Sequence, residues 1–211
     1  RVLLAEAEPL PSLTFVDTAG CGFEERMQES PGALHRSLSR FNPEEALLLR
    51  EHLLQLPIFD DHTLQTSNSE LQTPNLSIGI LSPYREQVDH LEALFRNDPQ
   101  LAPLLPTSNQ QPVTSNQKPS NQKPQISINT IDGFQGQERD IVYLSLVRSN
   151  AKHEIGFLQD YRRMNVAMTR ARLCLVVIGD SATIGNNKFY QAFLDYVAEH
   201  GAYRTAWEFM G

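Results

Sequence analysis

The sequence predicts an α/β fold in which a mostly parallel sheet is flanked by helices on both faces. Three observations predict it. Short β-branched apolar runs alternate with helical patterns along the chain. Several of those runs are apolar at successive positions, as strands covered on both faces must be. With 40% apolar and 20% charged residues, a chain of 211 residues can build one packed core and is not globally disordered.

Strands are expected at Leu13–Val16, Ser77–Leu81, Ile126–Thr130, Ile141–Leu146 and Leu173–Ile178. A helix is expected over Pro43–Leu56: Asn42 caps it, Pro43 takes the first helical position, and Glu45 stands three residues after the cap, as in a capping box. A second runs from Pro83 to about Phe95 with Ser82 as its cap, and a third covers Asp160–Arg172. The last covers Lys188–His200 and is stopped by Gly201. Strands alternating with helices imply right-handed crossovers and a doubly wound sheet.

Residues 1–211 read as one domain carrying an insertion over 97–125, rich in Pro, Ser, Asn and Gln. It contains a crude repeat: Ser108-Asn109-Gln110-Gln111-Pro112, then Ser115-Asn116-Gln117-Lys118-Pro119 and Ser120-Asn121-Gln122-Lys123-Pro124. Such a segment buries too little to offset its ordering entropy, so a disordered surface loop is expected. Doubling a loop costs only about 0.6 kcal/mol, which the fold can carry.

The chain starts at Arg1 with no initiator Met, which predicts a segment of a longer protein. No apolar run approaches the roughly 20 residues of a membrane span, so no membrane partner is expected. Two cysteines are too few for a disulfide framework, which points to a reduced, cytoplasmic compartment. The net charge of −7 argues against gripping nucleic acid by bulk electrostatics. It leaves room for a narrow basic track, and Arg162, Arg163, Arg170 and Arg172 follow one another with no acid between them.

Three segments carry candidate chemistry. Thr130-Ile131-Asp132-Gly133-Phe134-Gln135-Gly136-Gln137-Glu138 follows a strand; its glycines let backbone N–H groups approach a ligand, and Glu138 offers a carboxylate to a ribose. Taken alone it also reads as an ordinary glycine-rich turn. Tyr161 to Arg172 leads into a buried strand; Val166, Ala167 and Ala171 can pack inward, leaving Arg163 and Arg170 on one helical stripe, suited to phosphate. Alone, it is also a solvated basic face. Ile78 to Gln87 is a strand running into a helix whose free N–H groups could hold a phosphate, with Tyr84 near a sugar or base; it is also a plain strand–helix junction. No His/Cys cluster has metal-ligand spacing, so no metal site is expected, and the sequence holds no G-x-x-x-x-G-K-[ST] loop or G-x-S-x-G elbow. Asp17 follows a strand and is expected to be structural.

In this order the segments resemble the late motifs of superfamily 1B helicases, the group containing the nonsense-mediated-decay RNA helicase and the immunoglobulin-mu-binding helicase. Ile78–Tyr84 looks like motif IV, Asp132–Asp140 with the strand after it like motif V, and Gly156–Arg172 like motif VI; Ser39-x-x-Asn42-x-x-Glu45-Ala46 is an earlier match. The resemblance implies a RecA-like P-loop NTPase fold, here the second helicase lobe. It implies that Arg170 is an arginine finger, that Glu138, Gly136 and Gln135 contact ATP together with Arg170, and that Gln135 couples the two sites. Ser82, Pro83, Tyr84 and Thr130 would line a single-strand track. The cofactor is then ATP, with Mg2+ held mainly by a first lobe whose motifs this sequence lacks. The implied partners are that first lobe and single-stranded DNA or RNA, and this chain alone is expected to be inactive. One departure is Tyr161, where relatives commonly have proline. The alternative is a non-catalytic RecA-like scaffold or nucleic-acid-binding module.

Overall fold

The computed structural model describes residues 10–27, 39–59, 76–106 and 124–210. In chain order its strands are β1 (Leu13–Asp17), β2 (Arg26–Met27), β3 (Arg40–Phe41), β4 (Ser77–Ser82), β5 (Gln125–Thr130), β6 (Arg139–Ser145), β7 (Ala171–Gly179) and β8 (Ala202–Thr205). The helices are α1 (Pro43–Leu54), α2 (Arg85–Arg96), α3 (Tyr161–Met168), α4 (Ser181–Ile184) and α5 (Lys188–His200). Six strands form one sheet in the order β5-β4-β6-β7-β1-β8, and every neighbouring pair is parallel. β2 and β3 make a small antiparallel ribbon. This is the RecA-like α/β architecture that the sequence predicts.

Period-2 alternation divides the core into two layers. Ile78, Ile80, Ile141, Tyr143, Val176 and Ile178 pack with Leu49 and Leu53 of α1 and with Val88, Leu91 and Phe95 of α2. From the same strands Leu81, Val142, Leu144, Leu175 and Val177 pack with Met164 and Ala167 of α3 and with Tyr190 and Val197 of α5. Gly79 breaks the apolar run of β4 because a Cβ there would lie 2.9 Å from Cζ of Phe134, which seats itself on the sheet at that point. At the end of β1, Asp17 accepts from the hydroxyls of Ser181 (2.7 Å) and Tyr203 (2.6 Å), tying β1 to α4 and β8.

Several boundaries differ from expectation, each for a local reason. The third helix stops at Met168, not Arg172, and β7 starts at Ala171, because the Arg139 N–H donates to the Arg170 carbonyl at 3.0 Å and opens the β6–β7 ladder there. Arg163 and Arg170 therefore do not share a helical stripe. α1 is capped by Asn42, which accepts from the Glu45 N–H at 3.0 Å, but Glu45 does not close a capping box. Its carboxylate turns inward to Ser145 and Val147, and the Asn42 N–H donates to Gln87 instead. Ser82 is the last residue of β4 and does not cap α2; Tyr84 holds the cap position without a side-chain bond, while Ser82 Oγ accepts from the Tyr84 N–H at 3.3 Å.

The expected loop from 97 to 125 starts later than composition suggests. Asp98 accepts from the N–H groups of Gln100 and Leu101 and from Arg50, and Leu101 and Leu105 are buried. Residues 107–123, which hold most of the repeat, lie outside the described residues, and at the far end Gln125 already belongs to β5. β8 has no counterpart among the expected strands: it is four residues long, sits at the sheet edge and is largely exposed, so it lacks the apolar run of the inner strands, and the two-residue β2 and β3 are likewise too short to show one.

Candidate functional site

The candidate residues divide between the two rims of the sheet. β4 ends at Ser82 and β5 at Thr130, on the carboxyl rim. Glu138 and Arg170 immediately precede β6 and β7, on the amino rim. The turn from Ile131 to Glu138 connects the rims across the α3 face of the sheet. Phe134 is buried beneath it, whereas Gln135 and Gly136 are exposed at its apex.

Arg139 holds this turn in shape. Its guanidinium donates to Ser127 Oγ (3.2 Å), the Glu138 carbonyl (2.8 Å) and Gln137 Oε1 (2.8 Å), and lies 5.0 Å from the centre of the Phe134 ring. Burial and the neighbouring Arg172 charge lower the Arg139 pKa. Gly136 adopts φ +78, a left-handed conformation that L side chains rarely take, with no atom within 4 Å of where a Cβ would stand. The apex thus offers bare backbone and open space.

At the amino rim, backbone pairing of β6 with β7 brings the Glu138 and Arg170 segments side by side. Arg172 Nε donates to Glu138 Oε2 at 3.2 Å, and Arg170 Nε donates to the Val166 carbonyl at 3.1 Å, so Arg170 leaves the end of α3 with its side chain tethered. Arg170, Arg172 and Glu138 therefore share this rim with Arg139 and with Asp140, whose Oδ1 lies 3.9 Å from Arg172, and the exposed Gln135 and Gly136 shortly precede it in the chain.

At the carboxyl rim a small cleft is lined by Pro83, Thr130, Asp132, Phe157, Arg163 and Met164, among others. Of the four residues expected to line a strand track, Pro83 and Thr130 reach this cleft. Ser82 is fully buried and Tyr84 is 2% exposed, so neither side chain presents a surface to a ligand. The Tyr84 ring packs edge-on against Phe157, with ring centroids 5.5 Å apart, and its burial raises the phenol pKa. It supports the cleft wall from beneath, a correction to its expected place in the track. Thr130 Oγ1 accepts from the Gly133 N–H at 3.1 Å and so also shapes the turn.

Behind the cleft lies a buried polar network that the sequence did not single out. Glu45 is fully buried and accepts from Ser145 Oγ (2.5 Å) and from the Val147 N–H (3.0 and 3.2 Å to its two oxygens). Val147 has φ 71, and the Arg148 N–H donates back to the Leu146 carbonyl at 2.8 Å, a tight γ-type turn that a β-branched residue adopts only under strain. The turn delivers Arg148, 4% exposed, to Glu25 at 2.8 Å. Burial pushes the Glu45 carboxyl up to about 7, against the opposing bonds from Ser145 and Val147. The sequence signals for Glu45 were the Asn42–Glu45 spacing, which a capping box also explains, and the Ser39-x-x-Asn42-x-x-Glu45-Ala46 match, which names no partner for it.

Tyr161 has a local explanation. It stacks on Phe189 (centroids 4.8 Å apart, planes at 22°), and its hydroxyl accepts from Asn187 at 2.8 Å. Asp160 caps α3 by accepting from the Arg163 N–H, so the helix starts without a proline. Among the described residues no three His, Cys, Asp or Glu side chains gather as metal ligands, both cysteines are free thiols, and no helix is long and apolar enough to cross a membrane.

Comparison with known proteins bears on the whole chain. A family model described as an AAA domain matches residues 3–182. The chain is 37% identical over 198 residues to the "DNA-binding protein SMUBP-2" of Mus musculus, covering 94% of this chain and 16% of that protein. It is 34% identical over 194 residues to the "DNA polymerase alpha-associated DNA helicase A" of Saccharomyces cerevisiae, covering 91% and 23%. It is 32% identical over 195 residues to the "Putative helicase MOV-10" of Gallus gallus, covering 87% and 17%. The chain thus spans between 16% and 23% of the length of these relatives. With its parallel six-stranded sheet and its motifs in family order, it belongs to the AAA-domain superfamily 1B helicases, in the group of the immunoglobulin-mu-binding and nonsense-mediated-decay helicases.

Proposed function

We propose that this chain is the second motor lobe of an ATP-dependent helicase or translocase acting on single-stranded DNA or RNA. ATP would lie between the amino rim and a first lobe that carries the phosphate loop, and the strand would lie along the carboxyl rim. The observation that carries the reading is the β6–β7 pairing, which sets Glu138, Arg170 and Arg172 on one edge beside the exposed Gly136.

The residues fit a nucleotide. The Gln135–Gly136 apex offers backbone to phosphate oxygens, Arg170 and Arg172 supply positive charge, and Glu138 can accept from a ribose hydroxyl. Arg170 is the arginine finger in this reading: a guanidinium brought to the γ-phosphate as charge develops is worth about 10³–10⁵ in rate. Mg2+ would be held by the first lobe. In this reading Gln135, exposed at the apex of the turn that joins the rims, would couple nucleotide and strand.

The test is Arg170→Ala in the protein that carries this chain together with a phosphate-loop lobe. ATP turnover should fall at least about 10³-fold while thermal unfolding is unchanged. Turnover within tenfold of wild type would reject the finger. The 211-residue chain alone should hydrolyse no ATP. The net charge of −7 favours a second reading, a stand-alone scaffold lobe; a phosphate loop encoded upstream of Arg1 would eliminate it.

A further inference from the structure

Arg163 is held unlike the other arginines of the site. It lies in the first turn of α3, its side chain 49% exposed. Its Nε is 3.3 Å from Asp132 Oδ1 and 3.3 Å from Asp160 Oδ2, yet among the described residues its guanidinium donates no hydrogen bond. By contrast Arg139 donates from three nitrogens, and Arg172 donates to Glu138. Five N–H donors normally seek a planar pair of acceptors. Here the guanidinium is held by these two ion pairs alone, at the mouth of the cleft lined by Pro83, Thr130 and Phe157.

The two acids beside Arg163 have different duties. Asp160 is the helix cap and accepts from the Arg163 N–H. Asp132 is 66% exposed, and among the described residues its carboxylate pairs with Arg163 alone. Two carboxylates against one guanidinium leave the mouth net negative, an unfavourable field for a polyanion. An exposed ion pair of this kind is worth no more than about 1 kcal/mol and is readily exchanged.

We propose that Arg163 is a phosphate-binding residue of the strand cleft and that Asp132 is a built-in competitor, which a backbone phosphodiester of the single strand displaces from the guanidinium. The proposal rests on reading the carboxyl rim as the strand face and adds to it a specific contact and a brake on affinity. A phosphodiester presents two oxygens in the fork geometry that Asp132 does not satisfy, so the exchange gains hydrogen bonds. The competing acid keeps the contact weak enough to be released, which a lobe that steps along a strand requires.

The experiment measures fluorescence anisotropy of labelled oligothymidine and oligouridine against salt, with the protein that carries this chain and its ATP-binding lobe, in the absence of nucleotide. Arg163→Gln should weaken binding about five- to tenfold and reduce the slope of log K against log salt by about 0.7, the value of one lost phosphate contact on a single strand. Asp132→Asn should tighten binding about three- to tenfold, a gain that no folding defect can mimic, and Arg163→Gln/Asp132→Asn should lose that gain. An Asp132→Asn variant that binds no tighter, or an Arg163→Gln variant with an unchanged salt slope, overturns the proposal. A photoreactive benzoylphenylalanine at position 83 separates the two claims. A crosslink to the strand with inert Arg163 and Asp132 variants sinks the competitor and leaves the strand face standing; no crosslink sinks both.

Discussion

At the carboxyl rim Glu25, Glu45 and Asp180 are buried or nearly so, and each accepts from several donors. Asp180 alone accepts from Ala182 and Thr183 N–H groups and from the hydroxyls of Ser149 and Thr183. At the amino rim Glu138 and Arg172 are about half exposed and hold chiefly one another. The difference concerns where polar groups find their partners. A buried carboxylate must be satisfied within the fold, so its network is part of the fold's stability. An exposed carboxylate is already hydrated, so it can wait for an outside partner at little cost. The carboxyl rim therefore consists of a rigid buried foundation under a thin exposed cleft, and the amino rim is charge displayed on the surface.

The contrast is broken most directly at Glu25. Its carboxylate pairs with Arg148 (2.8 Å) and Arg40 (2.7 Å) and accepts from the Ser149 N–H (3.1 Å). Glu25→Ala leaves the 4% exposed Arg148, among the described residues, with one acidic partner, the distant and exposed Glu154 at 3.9 Å. Removing one partner of a buried pair costs about 3–5 kcal/mol, and denaturant unfolding should read a loss of that size. A loss below about 1 kcal/mol would mean that Glu25 behaves as a surface acid and that the rims do not differ as described.

Glu45 sharpens the contrast through pH. Its folded pKa is raised from the ordinary 4.5 to about 7, so the folded state favours the neutral carboxyl. The stability that this preference contributes is complete below pH 4.5 and is lost as pH rises through about 7. The decline is on the order of 3 kcal/mol. Glu45→Gln stays neutral at every pH and should unfold with a much flatter dependence between pH 5 and 8. A wild-type protein whose melting temperature holds or rises across that range would contradict the burial of Glu45. Because both Glu45 oxygens accept from the Val147 N–H, ionisation also bears on the strained turn that aims Arg148.

How much of this was legible in the sequence depends on whether a signal was local. The four inner strands, β1, β4, β6 and β7, were readable because burial on both faces leaves an apolar run, and the edge strand β5 was readable from its alternating Ile126 and Ile128; β8, exposed at the other edge, left neither signal. α1 was readable from Asn42 and Pro43. The start of α2 was misread because Ser82, a residue type that favours caps, serves a strand end there. The basic run from Arg162 to Arg172 looked like one helix because nothing in its composition marks the break at Thr169; the break is imposed from outside by pairing with Arg139. The amino-rim candidates came together because motif spacing follows strand topology. The burial of Tyr84 could not be foreseen, since it depends on Phe157, more than seventy residues away in the chain, folding over it. The inward turn of Glu45 was hidden for a similar reason: its partners, Ser145 and Val147, lie at the end of a strand on the other side of the insertion.

The smallest expected effect on stability, and the most selective on function, is at Glu138. Its ion pair with Arg172 is half exposed on both sides, so Glu138→Gln should shift unfolding by less than about 0.5 kcal/mol. In the proposed reading its carboxylate accepts from the ribose in ground state and transition state alike. Such uniform binding lowers KM without raising kcat. Glu138→Gln, in the protein with its ATP-binding lobe, should therefore raise KM for ATP about three- to tenfold with kcat nearly kept. On the same reading wild type should discriminate against 2′-deoxy or 3′-deoxy ATP and the variant should lose that discrimination, because the weakened contact is the one those analogues lack. A variant that still discriminates as wild type does would take the ribose away from Glu138. The rim would keep its charge, and among the described residues Arg172 would be the partner left to explain why that carboxylate is there.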